Sequence, residues 1–130
     1  MMSVDVKRFW FIPQKEFTAG MKDNMTILYD IYGELLSKSQ REVLDLRYNS
    51  DLSIAEIAEE LGGISRPAVN NARKKGEDRL LELEEVLGNA KRYMEISELL
   101  SQAENQLSGL PDTNETVKIR EIFEDIRKRL

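Results

Sequence analysis

Twelve consecutive residues, "SRPAVNNARKKG" at 65–76, contain no acid and hold Arg66, Asn70, Asn71, Arg73, Lys74 and Lys75. Arg and Lys neutralise phosphates, and Arg and Asn also match the hydrogen-bonding edges of bases. These residue types in one short run therefore point to contact with a nucleic acid. The candidate contact residues are Arg66, Asn70, Asn71, Arg73 and Lys74. The competing explanation is a solvated helix face whose basic end pairs with the acidic "EDRLLELEE" that follows at 77–85. The chain as a whole carries 19 basic and 24 acidic residues, a net charge of −5, so a nucleic-acid contact must rest on this local patch.

Composition removes most other chemistry. There is no Cys and no His in the 130 residues. Disulfides, thiolate metal sites, Ser-His-Asp triads and imidazole acid–base catalysis all need one or the other. No Gly-rich phosphate loop is present, and the many carboxylates sit at helical surface spacing. No enzyme activity, cofactor or metal site is expected. No apolar run approaches the ~20 residues that cross a bilayer. Lys7 and Arg8 precede an apolar stretch of only Phe9 to Ile12, shorter than the roughly 7–15 residues of a secretory signal. The expectation is a cytoplasmic protein that makes no membrane contact.

The patch needs elements to hold it, and the pattern around it is helical throughout. Leu28, Ile31, Tyr32, Leu35 and Leu36 recur at the spacing of an amphipathic helix. Ser39 and Glu42 form a capping box that opens a second helix through Tyr48, with Val43, Leu44, Leu46 and Tyr48 inward. Ser53 and Glu56 form another, opening a third helix with Ile54, Ile57, Ala58 and Leu61 inward. Gly62 suits a left-handed cap at its end. Ser65 then caps the helix that carries the basic run. Pro67 falls in its first turn, where a missing N–H costs nothing.

Between these two helices, "LGGISRPAV" fills the roles of a helix-turn-helix in order. Ala58 is the small residue at the crossing, Gly62 reverses the chain, Ser65 caps, and Val69 anchors. Ile54, Ile57, Leu61 and Ile64 complete a small core. Relative to the usual Leu-Gly-apolar-Ser turn, Gly63 is one residue extra.

Further on, Leu80, Leu83, Leu87 and Ala90 alternate three and four apart, and Tyr93, Ile96, Leu100, Ala103 and Leu107 resume after a slip. This is an apolar seam of coiled-coil or helix-hairpin type, with Gly76 and Gly88 as weak points. "SGLPD" ends it. Asp112 with Glu115 caps a last helix striped by Ile119, Ile122, Phe123, Ile126 and Leu130.

The blocks "YGELLSKSQREVLDLRY", "SIAEIAEELG" and "SRPAV" are similar to those of the YlxM-like family of small bacterial proteins, encoded beside the signal recognition particle GTPase Ffh. The likeness covers Met21 to about Leu107, and the same blocks resemble region 4 of sigma factors. It implies an all-α fold: a sigma-factor region 4-like helix-turn-helix followed by a long helix and a C-terminal helix. It also implies a homodimer, and a link to the signal recognition particle pathway. The expected partners are DNA or signal recognition particle RNA, and the Ffh GTPase. The expected function is a non-enzymatic nucleic-acid-binding regulatory protein. The alternative is a protein-interaction module that binds the targeting GTPase without touching nucleic acid. Residues 1–20 have no family counterpart and read as an extension or tag, or as an aromatic segment (Phe9, Trp10, Phe11) that docks. The expected organisation is 1–20 extension, 21–79 helix-turn-helix domain, and 80–130 helical dimerisation arm.

Overall fold

The computed structural model describes residues 12–130, and every regular element in them is helical. The order is α1 (Gln14–Gly20), a 3-10 turn at Met21–Asp23, α2 (Met25–Tyr32), and a 3-10 turn at Gly33–Leu35. Then come α3 (Lys38–Tyr48), α4 (Ile54–Glu60), α5 (Arg66–Leu87), α6 (Asn89–Ser108) and α7 (Asn114–Lys128). The protein is all-α. The described chain divides into two compact units, Ile12–Ala90 and Lys91–Leu130. Phe9, Trp10 and Phe11 lie outside the described residues.

In the first unit α5 is the spine, and α1, α2, α3 and α4 all pack on it. Its middle carries Gly76, which is buried. A Cβ at that position would lie 2.9 Å from Leu44 Cδ1. The glycine that reads as a helix weak point is thus a place where α3 packs tightly on α5. Leu28, Tyr32, Val43, Leu44 and Leu80 are fully buried around this spine.

Several local expectations shift by a residue or two. The box that opens α3 is Ser37 with Gln40, not Ser39 with Glu42. Both satisfy the same pattern, but a start at Lys38 lets Leu36 enter the core ahead of the helix. Leu35, expected inward, lies on the 3-10 turn and is 59% exposed, because the tighter turn rotates it outward. The last helix is capped by Thr113 with Thr116 rather than by Asp112 with Glu115, and Asp112 pairs instead with Arg120 at 3.0 Å.

Part of the segment that reads as an extension is helical: residues 14–20 form α1, and Phe17 and Thr18 on it are buried. Gln14 donates from Nε2 to Glu84 Oε2 at 2.9 Å, which ties α1 to α5.

The helix that starts at Arg66 does not run on through the whole seam. It stops at Leu87, because Gly88 turns left-handed at φ 65° and its N–H closes onto the Glu84 carbonyl at 2.8 Å. The seam is thereby divided between two helices. Leu80, Leu83, Ala90, Leu100 and Leu107 are buried within the single chain, and only Leu87 and Tyr93 of its main positions stay largely exposed. Glu84 fills the corner. Its Oε1 accepts from the Tyr32 hydroxyl at 2.6 Å and from the Ala90 N–H at 2.9 Å, so it caps the first turn of α6. The Tyr32 hydroxyl in turn accepts from the Asn89 N–H at 3.1 Å. Burial first, and then the Glu84 bond, push the Tyr32 phenol up to about 12.

Candidate nucleic-acid interface

The basic run is held by a corner whose bonds are all local. Ser53 Oγ accepts from the Glu56 N–H at 3.2 Å, and the Ser53 N–H donates to Glu56 Oε1 at 2.9 Å. The Ser53 N–H bond first, and then the Ser53 hydroxyl beside the carboxylate, hold the Glu56 carboxyl below its usual range. At the far end of α4 the Gly62 N–H reaches the Glu59 carbonyl at 3.1 Å, and the Gly63 N–H reaches the Ala58 carbonyl at 2.9 Å. That pair of bonds is a Schellman motif. Gly62 and Gly63 both have positive φ, 86° and 81°. The extra glycine therefore supplies a second left-handed residue, which a side chain would resist.

Ser65 Oγ then accepts from the Ala68 N–H at 3.1 Å, and Pro67 sits in the first turn of α5 as expected. Replacing Ser65 with Ala removes this cap and should lower stability by about 1 kcal/mol. Chemical denaturation checks the value, and an unchanged midpoint would mean that the cap does not set the start of α5.

Val69 is fully buried and packs with Val43, Ile57 and Ala58, supported by Leu46, Leu52, Ile54, Leu61 and Ala72. Ile64 is not part of this core. It is 42% exposed, because the second left-handed glycine carries the chain outward before Ser65.

With Val69 inward, the polar residues of the first turns must face out. Arg66, Asn70, Asn71, Lys74 and Lys75 are all exposed. Arg66, Asn70 and Lys74 follow one another at four-residue steps along one row, and Asn71 and Lys75 begin the next. This second row borders a groove of about 570 Å³ lined also by Gln40, Ile64 and Ala68.

Arg73 is different. Its guanidinium bonds Asn70 Oδ1 at 3.1 and 2.9 Å and Glu77 Oε1 at 2.7 Å. Glu77 is itself held by the Tyr48 hydroxyl at 2.6 Å, and the Tyr48 ring meets Tyr29 edge-on at 5.9 Å. The competing explanation for the basic run, pairing with the following acids, thus applies to Arg73.

Sequence spacing misses two further cations. Lys22 and Arg47 border a depression of about 410 Å³ that Asn70, Arg73 and Glu77 also line. They come from the first 3-10 turn and the end of α3, and no local pattern links them to α5. Arg47 is partly used, since its guanidinium donates to the Leu52 carbonyl at 3.0 Å. Among the described residues no group of carboxylates is arranged to hold a metal ion, and no helix is long and apolar enough to cross a membrane.

Compared with known protein families, residues 21–124 match UPF0122, the helix-turn-helix family described as YlxM / p13 like. The chain belongs to this family. UPF0122 relatives include a protein of Thermoanaerobacter sp. (strain X514), 37% identical over 106 residues, or 82% of this chain and 90% of that protein. One from Listeria monocytogenes serotype 4b (strain CLIP80459) is 38% identical over 96 residues, 74% of this chain and 86% of the relative. One from Caldanaerobacter subterraneus subsp. tengcongensis is 47% identical over 72 residues, 55% of this chain and 61% of the relative. The UPF0122 match begins at Met21 and takes in α2 to α6 and most of α7. UPF0122 is described by its helix-turn-helix and by no enzyme activity.

Proposed function

We propose that the protein is a non-enzymatic regulatory subunit that binds nucleic acid through α5, as a homodimer, in the signal recognition particle pathway. The observation that carries this reading is the outward row of Arg66, Asn70 and Lys74 on a helix whose start is rigidly set by Ser65 and Val69. Asn71 and Lys75 extend it. Such a face suits the phosphates and groove edges of a duplex, as the second helix of helix-turn-helix proteins does. DNA and signal recognition particle RNA both offer those groups. The pathway enters through the likeness to YlxM proteins.

A second reading is a module that docks on the Ffh GTPase. It is favoured by one specific feature, the neutralisation of Arg73 by Glu77, which leaves fewer cations on the face. The acidic Glu56, Glu59 and Glu60 on α4 point the same way, since all three are exposed.

Binding of the purified chain to the particle's RNA, to random duplex DNA and to Ffh, each at several salt concentrations, separates the readings. Phosphate contacts make affinity fall steeply with salt, in proportion to the number of phosphates neutralised. Lys74→Ala should weaken binding to all sequences alike and reduce the salt slope by about 1. Binding to Ffh alone, with no affinity for either nucleic acid at low salt, would establish the second reading instead.

A further inference from the structure

The last helix leaves an apolar face uncovered. α7 packs on α6 through one row of side chains, in which Thr116 is buried and Arg120, Phe123 and Arg127 are half-buried. The Arg127 guanidinium fastens that row, bonding Glu104 at 2.6 and 3.1 Å and Ser101 at 3.1 Å. Ile119, Ile122, Ile126 and Leu130 fall on the neighbouring rows, turned away from α6, and Ile122 is 54% exposed. Four large apolar side chains on one face of a single helix are more than scattered surface residues.

The charges beside this face say what covers it. Glu115 and Arg129 lie in line with Ile122, seven residues to either side of it, and Lys118 and Asp125 lie on the flank away from α6. Among the described residues, Glu115, Lys118 and Asp125 form no ion pair, and Arg129 donates to the Asp125 backbone carbonyl at 3.0 Å. Two copies of α7 laid antiparallel with Ile122 at the centre bring a residue k places before Ile122 opposite the one k places after it. Glu115, seven before, then meets Arg129, seven after. Lys118, four before, meets Ile126 with Asp125 beside it, and Ile119 packs on Ile126. A two-fold axis brings the same flank of both helices together, so each pairing occurs twice. A parallel arrangement would set each of these charges against its own copy. A partner of uniform charge would repel half of them.

We infer that two copies of this chain pair through α7, antiparallel and centred on Ile122. The inference rests on the homodimer in the reading above and places its contact on the last helix. α7 is 15 residues long, so its face covers roughly half of the ~800 Å² per partner of a standard interface. Association is therefore expected to be reversible and concentration-dependent.

Sedimentation equilibrium of the full chain, from low micromolar to hundreds of micromolar and at low salt, tests this. The natural chain should dimerise. Ile122→Glu sets two acids against each other at the axis and should weaken dimerisation by about a hundredfold or more. Lys118→Glu and Asp125→Lys should each weaken it by about tenfold, because each reversal is felt twice. Together they exchange the two charges and should restore it to within about threefold. These charge changes are at exposed sites, and circular dichroism checks that the helices persist, so the test stands even where Ile122→Glu misfolds. A natural chain that stays monomeric throughout would overturn both the homodimer and this interface. A dimer indifferent to the α7 changes, or single losses that the double exchange fails to repair, would overturn the interface and leave the homodimer standing.

Discussion

Val69→Asp is expected to abolish cooperative folding of the Ile12–Ala90 unit. Val69 is fully buried among Val43, Ile57 and Ala58, in the small core that joins α5 to α3 and α4. The side chains packed in that cluster are apolar, so the new carboxylate would be buried in apolar surroundings. Such a group costs several kcal/mol even after relaxation. A unit of this size has only about 4–12 kcal/mol to lose. Thermal melting by circular dichroism should show a broad, non-cooperative loss of signal. Lys74→Asp is the control on the same helix, exposed and one turn beyond, and should change stability by less than about 0.5 kcal/mol. A sharp melt for Val69→Asp close to that of the natural chain would mean that α5 does not pack on α3 and α4 as described.

Glu84→Ala is expected to lower stability by about 3–5 kcal/mol, the second largest effect of a single change. Glu84 is fully buried and accepts from three donors that reach it from three parts of the unit: Gln14 on α1, Tyr32 on α2 and the N–H of Ala90 at the start of α6. Alanine withdraws all three acceptors at once and leaves a cavity where the side chain was. Glu84→Gln keeps the length and one oxygen, and should cost about 1–2 kcal/mol. Urea denaturation followed by helical signal and by Tyr fluorescence measures both. Equal losses for the two variants would show that volume, rather than hydrogen bonding, is what Glu84 supplies.

The helix-turn-helix corner was legible in the sequence except at Ile64, which lies outside its core. Ser53 and Glu56, Gly62, Ser65 and Pro67 all occupy the roles that their types suggest, and Val69 is inward. Each of these roles concerns bonds or sterics within a few residues along the chain, so neighbouring letters suffice to specify it. Where two local solutions competed, the sequence did not choose. Ser37 and Ser39 are both followed three residues later by a residue that completes a capping box, and the need to bury Leu36 decided between them. At the last helix, Thr113 capped in place of Asp112 once Asp112 had Arg120 to pair with.

The sequence by itself determined the all-α class, the corner that presents the basic run, and the outward direction of Arg66, Asn70, Asn71 and Lys74. All of these follow from helical periodicity, caps and the burial of Val69. Only the tertiary structure decided that Gly76 is a crossing point, that Phe17 packs inside, that Glu84 is a buried acceptor, and that Arg73 is held by Glu77 beneath Tyr48. It also decided that the long seam is divided at Gly88 and mostly covered in one chain, with the open apolar face left on α7. Except for the Arg73–Glu77 pair itself, which spans one helical turn, these outcomes depend on segments that lie far apart in the chain or on a helix end. Burial is set by whichever element arrives to cover a residue, and a period along one helix cannot name that element.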